Sequence, residues 1–234
     1  QAQIHVLDSG DQVTLRGAEL DALIRACAIT LRRYDSDTPP LMKILQGLEE
    51  VSTPFVVLWA DDDLLVPSAL EDGVRLLDER PEYSVVHGRS GLFAVREGQI
   101  QWVAPYLQRP ILDETASARL RNHLQRYSVM FYSVHRTAAL RENLRRVCQS
   151  GLDWHTWGEI ALSALAVIQG KACCLSRLYM LREGHDGMWS AKIDRERNAD
   201  PFDWLTDSAF VRQHGSFELF RDCLVPELVR QDEV

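Results

Sequence analysis

No two of the five cysteines (Cys27, Cys148, Cys173, Cys174, Cys223) are placed as a CxxC pair, and their number is odd. This argues against a disulfide framework and against a structural zinc site. Cys173-Cys174 sits inside an apolar run and reads as core packing. No apolar run approaches the roughly 18–20 residues that a membrane-spanning helix needs, and the opening residues lack the charged, apolar, small-residue order of a secretory signal. The expectation is a cytoplasmic protein with no transmembrane segment, peripheral membrane contact being left open. Basic charge is short as well: 26 Lys and Arg against 34 Asp and Glu give a net charge of −8. Broad nucleic-acid binding, which needs a dense basic surface, is not expected. No repeat and no low-complexity linker interrupts the chain.

What is present is an ordinary globular composition, 46% hydrophobic and 26% charged over 234 residues, enough to bury a sizeable core. Ile4–Leu7 is a short apolar run stopped by Asp8-Ser9-Gly10, the punctuation of a strand entering a loop. Leu20, Leu23, Ile24 and Cys27 follow at helical spacing, and 28–34 reads as a second strand ending at Asp35-Ser36-Asp37. After Pro39-Pro40, the residues Leu41, Ile44, Leu45 and Leu48 line a helix. Phe55–Trp59 is then a continuous apolar run expected to be a strand covered on both faces. Ser68 and Glu71 have capping-box spacing at the start of a helix that ends at Arg80-Pro81. Tyr83–Val95 is expected to be extended, with a turn at 96–99 leading into a further strand. Beyond it the pattern predicts helices over 115–125, 137–147 and 157–168, extended chain over 127–134, a strand over 172–181, and two short helices near the end. Arg141, Arg145 and Arg146 read as a solvated face, with an anion site as the alternative. Alternation of strands and helices predicts an α/β fold with a mostly parallel, Rossmann-like sheet.

The chemistry is expected at the carboxylates. Asp8, Asp35 and the run Asp61-Asp62-Asp63 each follow a predicted strand, and in an open parallel sheet ligands collect at the strands' carboxyl ends. Several carboxylates in one cleft repel unless a cation offsets them, and hard oxygen donors suit Mg²⁺ or Mn²⁺. The alternative is that the run only keeps a loop soluble. An EF-hand is excluded, because Leu65 falls on a ligand position and the turn glycine is missing.

The segment LWADDDLLVPSALEDGVRLLDERPEYSVVHG resembles the region around the DxD motif of GT-A glycosyltransferases, above all the family-two type and a bacterial subgroup with an ADDD motif. IHVLDSG is similar to that family's base-contacting strand, and residues 127–185 to the subgroup's acceptor half. The resemblance implies a GT-A domain over 1–185, with a nucleotide-sugar half (1–110) and an acceptor half (111–185), followed by a C-terminal extension over 186–234. It also implies a chain that begins at what would be the family's second strand, with a fragment expected.

Carried onto this sequence, the resemblance implies that Asp8 bonds the base, that Asp62 contacts the ribose or the metal, and that Asp63 coordinates the cation, with Asp61 kept for its Asp-x-Asp spacing. Asp35 and Lys43 would stand on the nucleotide-sugar side, Lys43 and Arg182 toward phosphate, although a lone lysine is commonly just solvated. His185 would be a metal or phosphate contact, with a plain surface histidine as the alternative. Glu159 would be the base that activates the acceptor hydroxyl, with Asp153 in reserve; a first-turn acid favoured by the helix dipole is the other reading of Glu159. Trp154 and Trp157 would form either a sugar-stacking wall or core packing. Ala60 departs from the family's pattern, leaving the metal role to Asp61–Asp63. The implied function is transfer of a sugar, with inversion in the family's manner, from a UDP- or GDP-type nucleotide-diphospho sugar to an unidentified glycan, lipid or protein acceptor, with Mn²⁺ or Mg²⁺. Asp63→Ala is expected to abolish such transfer with little loss of fold. The alternatives are a sugar nucleotidyltransferase, whose Gly-rich phosphate loop is not seen, and a non-catalytic domain that binds a nucleotide or partner.

Overall fold

The computed structural model describes residues 2–10, 18–27, 29–152, 157–184, 206, 208 and 211–233. They form two compact units, Gln1–Ser52 and Thr53–Val234.

In the first unit, β1 (Ile4–Asp8) and β2 (Ile29–Arg33) pair in parallel, Ile4 against Ile29 through Asp8 against Arg33. α1 (Ala18–Cys27) makes the crossover between them, and α2 (Pro40–Leu48) starts at Pro40, whose missing N–H costs nothing at a helix's first position. α2 lies close on β1: a Cβ at Gly47 would come within 2.8 Å of the Leu7 side chain. This strand–helix–strand–helix order is the one expected from the sequence.

The second unit is built on one mixed sheet in the order β3-β7-β5-β8-β4, with β6 beside β5. Its strands are β3 (Phe55–Val57), β4 (Leu64–Leu65), β5 (Tyr83–Arg96), β6 (Gln99–Tyr106), β7 (Val134–Arg136) and β8 (Lys171–Glu183). Only β5 and β8 pair in parallel; the β3–β7, β4–β8, β5–β6 and β5–β7 pairings are antiparallel. The expected mostly parallel sheet is therefore replaced by a mixed one. One reason lies in the connections: a tight hairpin joins β5 to β6, and a hairpin leaves its two strands antiparallel. The hairpin turns at Glu97 and Gly98, with φ of 52° and 73°, the left-handed pair that matches strand twist.

Helices cover both faces of this sheet. α3 (Pro67–Glu79) packs Ala69 and Leu77 onto Val86, Val134, Tyr179 and Met180. On the opposite face Val85, Ile111, Met130 and Ala172 meet Ala166 and Val167 of α6 (Glu159–Gln169), where every residue from Ile160 to Ile168 is buried. α4 (Ala116–Gln125), α5 (Thr137–Ser150) and α7 (Val211–Asp232) pack around α6. Thr115 caps α4, accepting from the Ala118 N–H at 3.3 Å, and Gly151 closes α5 in the left-handed conformation.

Several local expectations are corrected. β3 stops at Val57 and is only half-buried, because it is the sheet's outer strand beyond β7. The capping box is absent: Val66 caps α3 and Pro67 is its first residue, which moves Ser68 inside the helix, where its Oγ accepts from Arg177 at 2.7 Å. Residues 127–133 are not a strand; side chains take part of their backbone hydrogen bonding, Ser163 Oγ accepting from the Met130 N–H and His135 donating to the Met130 carbonyl, which also accepts from the Ser133 N–H. Within the described C-terminal residues, Val211–Asp232 is one 22-residue helix that runs through Pro226, held by Phe220, Cys223 and Leu224 in the core. Arg146 is no purely solvated residue, since it reaches the buried Glu227 at 3.4 Å.

Candidate active site

The three carboxylates occupy one turn between β3 and β4, but they are not equivalent. Asp61 is exposed, Asp62 half-buried, and Asp63 only 2% exposed. Two bonds close this turn: Asp63 N–H to Ala60 O at 3.2 Å, and Trp59 Nε1–H to Asp63 O at 2.7 Å. β4 then pairs antiparallel with β8, Leu64 opposite Leu181 and Leu65 opposite Met180. Continuing that register by one residue brings Asp63 opposite Arg182.

Arg182 Nε donates to Asp63 Oδ2 at 3.2 Å, and the Glu183 N–H donates to Asp63 Oδ1 at 3.2 Å. The guanidinium lies between two rings, 4.8 Å from the Tyr132 centroid and 5.2 Å from that of Tyr106, and its Nη1 reaches Tyr106 Oη at 3.3 Å. Burial raises the Asp63 pKa, while Arg182 pulls it down. Burial pushes Tyr132 up to about 12 and also raises Tyr106, and both phenols feel the charges of Arg182, Glu159 and Asp63.

Glu159 opens α6, where the unsatisfied N–H groups and the helix dipole favour a carboxylate. Its Oε1 accepts from Tyr127 Oη at 3.2 Å. Thus Asp63 from the β3–β4 turn, Arg182 from β8, Tyr106 from β6, Tyr132 from the loop before β7 and Glu159 from α6 share one electrostatic neighbourhood. The three tyrosines were not among the residues singled out from the sequence. Nothing local marks them, because tyrosines at strand ends and in loops are common and only the tertiary arrangement turns these toward Arg182 and Glu159.

Asp8 ends β1 and Asp35 follows β2 in the first unit. Asp8 accepts from the Gly10 N–H at 2.9 Å and pairs with Arg33 at 3.3 Å, while Asp35 is exposed. Lys43 of α2 donates to Ser9 Oγ at 2.8 Å and so stands beside Asp8. Trp157 is buried against Phe217 and Phe220, with centroids at 5.5 and 4.9 Å, which makes it core packing. Asp153, Trp154 and His185 lie outside the described residues.

Among the described residues no three His, Cys, Asp or Glu side chains gather as a ready cation cage. The donors present are hard carboxylate oxygens, and Mg²⁺ is commonly held by one or two carboxylates together with substrate phosphates. Asp61–Asp63 fit that chemistry, although Asp63 already serves Arg182 and Glu183. Among the described residues no helix is long and apolar enough to cross a membrane.

No family model and no curated protein matches the chain. Solved structures do. A crystal structure of S. aureus TarS, a wall teichoic acid glycosyltransferase, matches with a TM-score of 0.55 and 14% identity over 95% of this chain. The fold is similar to a glycosyltransferase's. A second crystal structure, of TarS 1-349, gives a TM-score of 0.54 at 14% identity over 96% of this chain. The chain spans 38% and 62% of the lengths of those two neighbours.

Proposed function

We propose that this chain is the donor-handling part of a glycosyltransferase that moves a sugar from a UDP- or GDP-type nucleotide-diphospho sugar to a glycan, lipid or protein acceptor, with inversion, in the cytoplasm. The observation that supports it most is the meeting, within a glycosyltransferase-like fold, of a buried acid–arginine pair with a helix-initial carboxylate, Asp63–Arg182 and Glu159.

The residues divide the work as follows. Arg182, fixed between Tyr106 and Tyr132, presents a planar cation suited to a phosphate oxygen. Asp63 holds that guanidinium, and Asp61 and Asp62 beside it offer carboxylates toward Mn²⁺ or Mg²⁺. When bound, such a cation supplies positive charge against that building on the leaving diphosphate. Glu159 takes the proton from the acceptor hydroxyl as that oxygen attacks the sugar's anomeric carbon. Asp8, Asp35 and Lys43 belong to the nucleotide side of this reading, with Asp153 in reserve as base and His185 as a further metal or phosphate contact.

A non-catalytic nucleotide-binding domain is the second reading, favoured by the engagement of Asp63 with Arg182 and Glu183. Titration calorimetry with UDP-sugars and GDP-sugars, with and without Mn²⁺, joined to a donor-hydrolysis screen, separates the two. Metal-dependent binding with hydrolysis supports the transferase. Binding without turnover favours the second reading, and absence of any metal-dependent binding removes the transferase.

A further inference from the structure

Glu159 is addressed by a chain of donors whose direction is fixed by counting hydrogens. The Met130 N–H donates to Ser163 Oγ at 3.2 Å, which makes the serine oxygen an acceptor there. Tyr127 Oη lies 3.4 Å from Ser163 Oγ and 3.2 Å from Glu159 Oε1. An ionised carboxylate only accepts, so the one phenolic hydrogen goes to Glu159. The serine's single hydrogen is then the one left for the phenol oxygen. The order runs Met130 N–H to Ser163, Ser163 O–H to Tyr127, and Tyr127 O–H to Glu159. Ser163 and Glu159 stand one turn apart on α6, so the relay is anchored on the helix that carries the acid.

We propose that Tyr127 and Ser163 are positioning residues, which aim the Glu159 carboxylate and hold it in its ionised, proton-accepting form. The proposal rests on the reading of Glu159 as the base and deepens it. The environment agrees. Tyr127 is 40% exposed as a residue; desolvation, then the charge of Glu159, raises its pKa well above the tyrosine range, so it stays a donor. Ser163 is 1% exposed and is held by a backbone group that does not titrate. The bonds are long for O–H···O contacts, as those of unliganded catalytic sites often are. The other titratable and charged groups of this neighbourhood include Tyr106 of β6, Tyr132 before β7, Asp63, Arg182 and, 5.1 Å from the Tyr127 ring, His123 of α4, which burial pushes down to about 3 and so keeps neutral. The two phenols are raised in pKa and neutral at working pH, and the Asp63–Arg182 pair is internally compensated. Removal of one Tyr127 hydrogen is therefore read out mainly at Glu159.

The test is carboxyl-carbon NMR of the full chain, with the Glu159 signal assigned by its loss in Glu159→Gln. In Tyr127→Phe the Glu159 titration midpoint should rise by about one pH unit, and in Ser163→Ala by a smaller amount in the same direction. The acidic limb of kcat/KM for donor hydrolysis should move with it. A midpoint that stays put in Tyr127→Phe, with thermal unfolding showing an intact fold, overturns the relay; if that variant does not fold, Ser163→Ala decides by the same criterion. Full hydrolytic activity of Glu159→Gln overturns the base reading instead, and leaves the NMR result to stand by itself.

Discussion

Arg182 and Asp63 are joined through Nε and Oδ2 at 3.2 Å although 119 residues separate them, and the acid is almost wholly enclosed. Removal of either partner leaves the other's charge buried without its counterpart. Arg182→Met should lower the unfolding free energy by roughly 3 kcal/mol, measured by urea denaturation. It also removes the influence that holds the Asp63 pKa down. A carboxyl whose folded pKa is raised loses stability as pH rises, so the variant should recover stability on acidification below neutral; a deficit independent of pH would contradict the pairing.

Asp63→Ala is accordingly expected to damage the fold as well as donor binding, where the sequence alone led to an expectation of little loss of fold. Asp61→Ala, at an exposed position, should leave the unfolding midpoint within the small range usual for surface changes. Any loss of Mn²⁺-dependent nucleotide-sugar binding in that variant, followed by calorimetry, then reports on ligand contact alone.

Three buried histidines set a pH limit on the second unit. Desolvation lowers His87 and His135 to about 4 and His123 to about 3. His135 donates through Nε2 to the Met130 carbonyl at 2.9 Å, and both ring nitrogens of His123 are buried without a partner among the described residues. A base whose folded pKa is depressed contributes stability that is present above its unfolded pKa and lost as pH falls through its folded value. The urea midpoint should stay flat above neutrality and fall steadily from about pH 6.5 to about 4. His123→Phe should flatten part of that slope; a slope unchanged by the substitution would show that His123 does not carry it.

Two glycines of β5 should respond differently to alanine. At Gly88 a new Cβ would lie 2.9 Å from the Arg177 carbonyl oxygen and 2.8 Å from Tyr179 Cβ, neither of which can turn aside. At Gly91 it would meet the far edge of the Trp102 ring at 2.2 Å, and that ring, 61% exposed, has room to rotate. Gly88→Ala should cost about 1–3 kcal/mol and Gly91→Ala much less, as read from thermal or urea unfolding of the two variants side by side.

Much of the scaffold was legible in local sequence. Pro40 starts a helix, Glu97-Gly98 turns the β5–β6 hairpin, and the apolar pattern over 157–168 becomes the buried α6. Each depends on residues within a few positions of one another, where propensity and periodicity act directly. Where the reading failed, a distant partner overruled the local pattern. Residues 127–133 have strand-like composition, but Ser163 and His135 take part of their backbone hydrogen bonding. Val211–Asp232 stays one helix through Pro226, because its apolar face has α5 and α6 to pack against.

The candidate site divides along the same line. The sequence by itself determined that three carboxylates would crowd one turn, that Glu159 would open a helix and that an arginine would close a late strand, because residue type, chain order and turn chemistry are local properties. Only the tertiary structure decided which acid of the three is buried, that it faces Arg182, and that tyrosines from two separate segments surround the arginine and Glu159. Those facts rest on the antiparallel register of β4 against β8 and on packing between elements far apart in sequence, where burial and Coulomb attraction act through space and no local pattern records them.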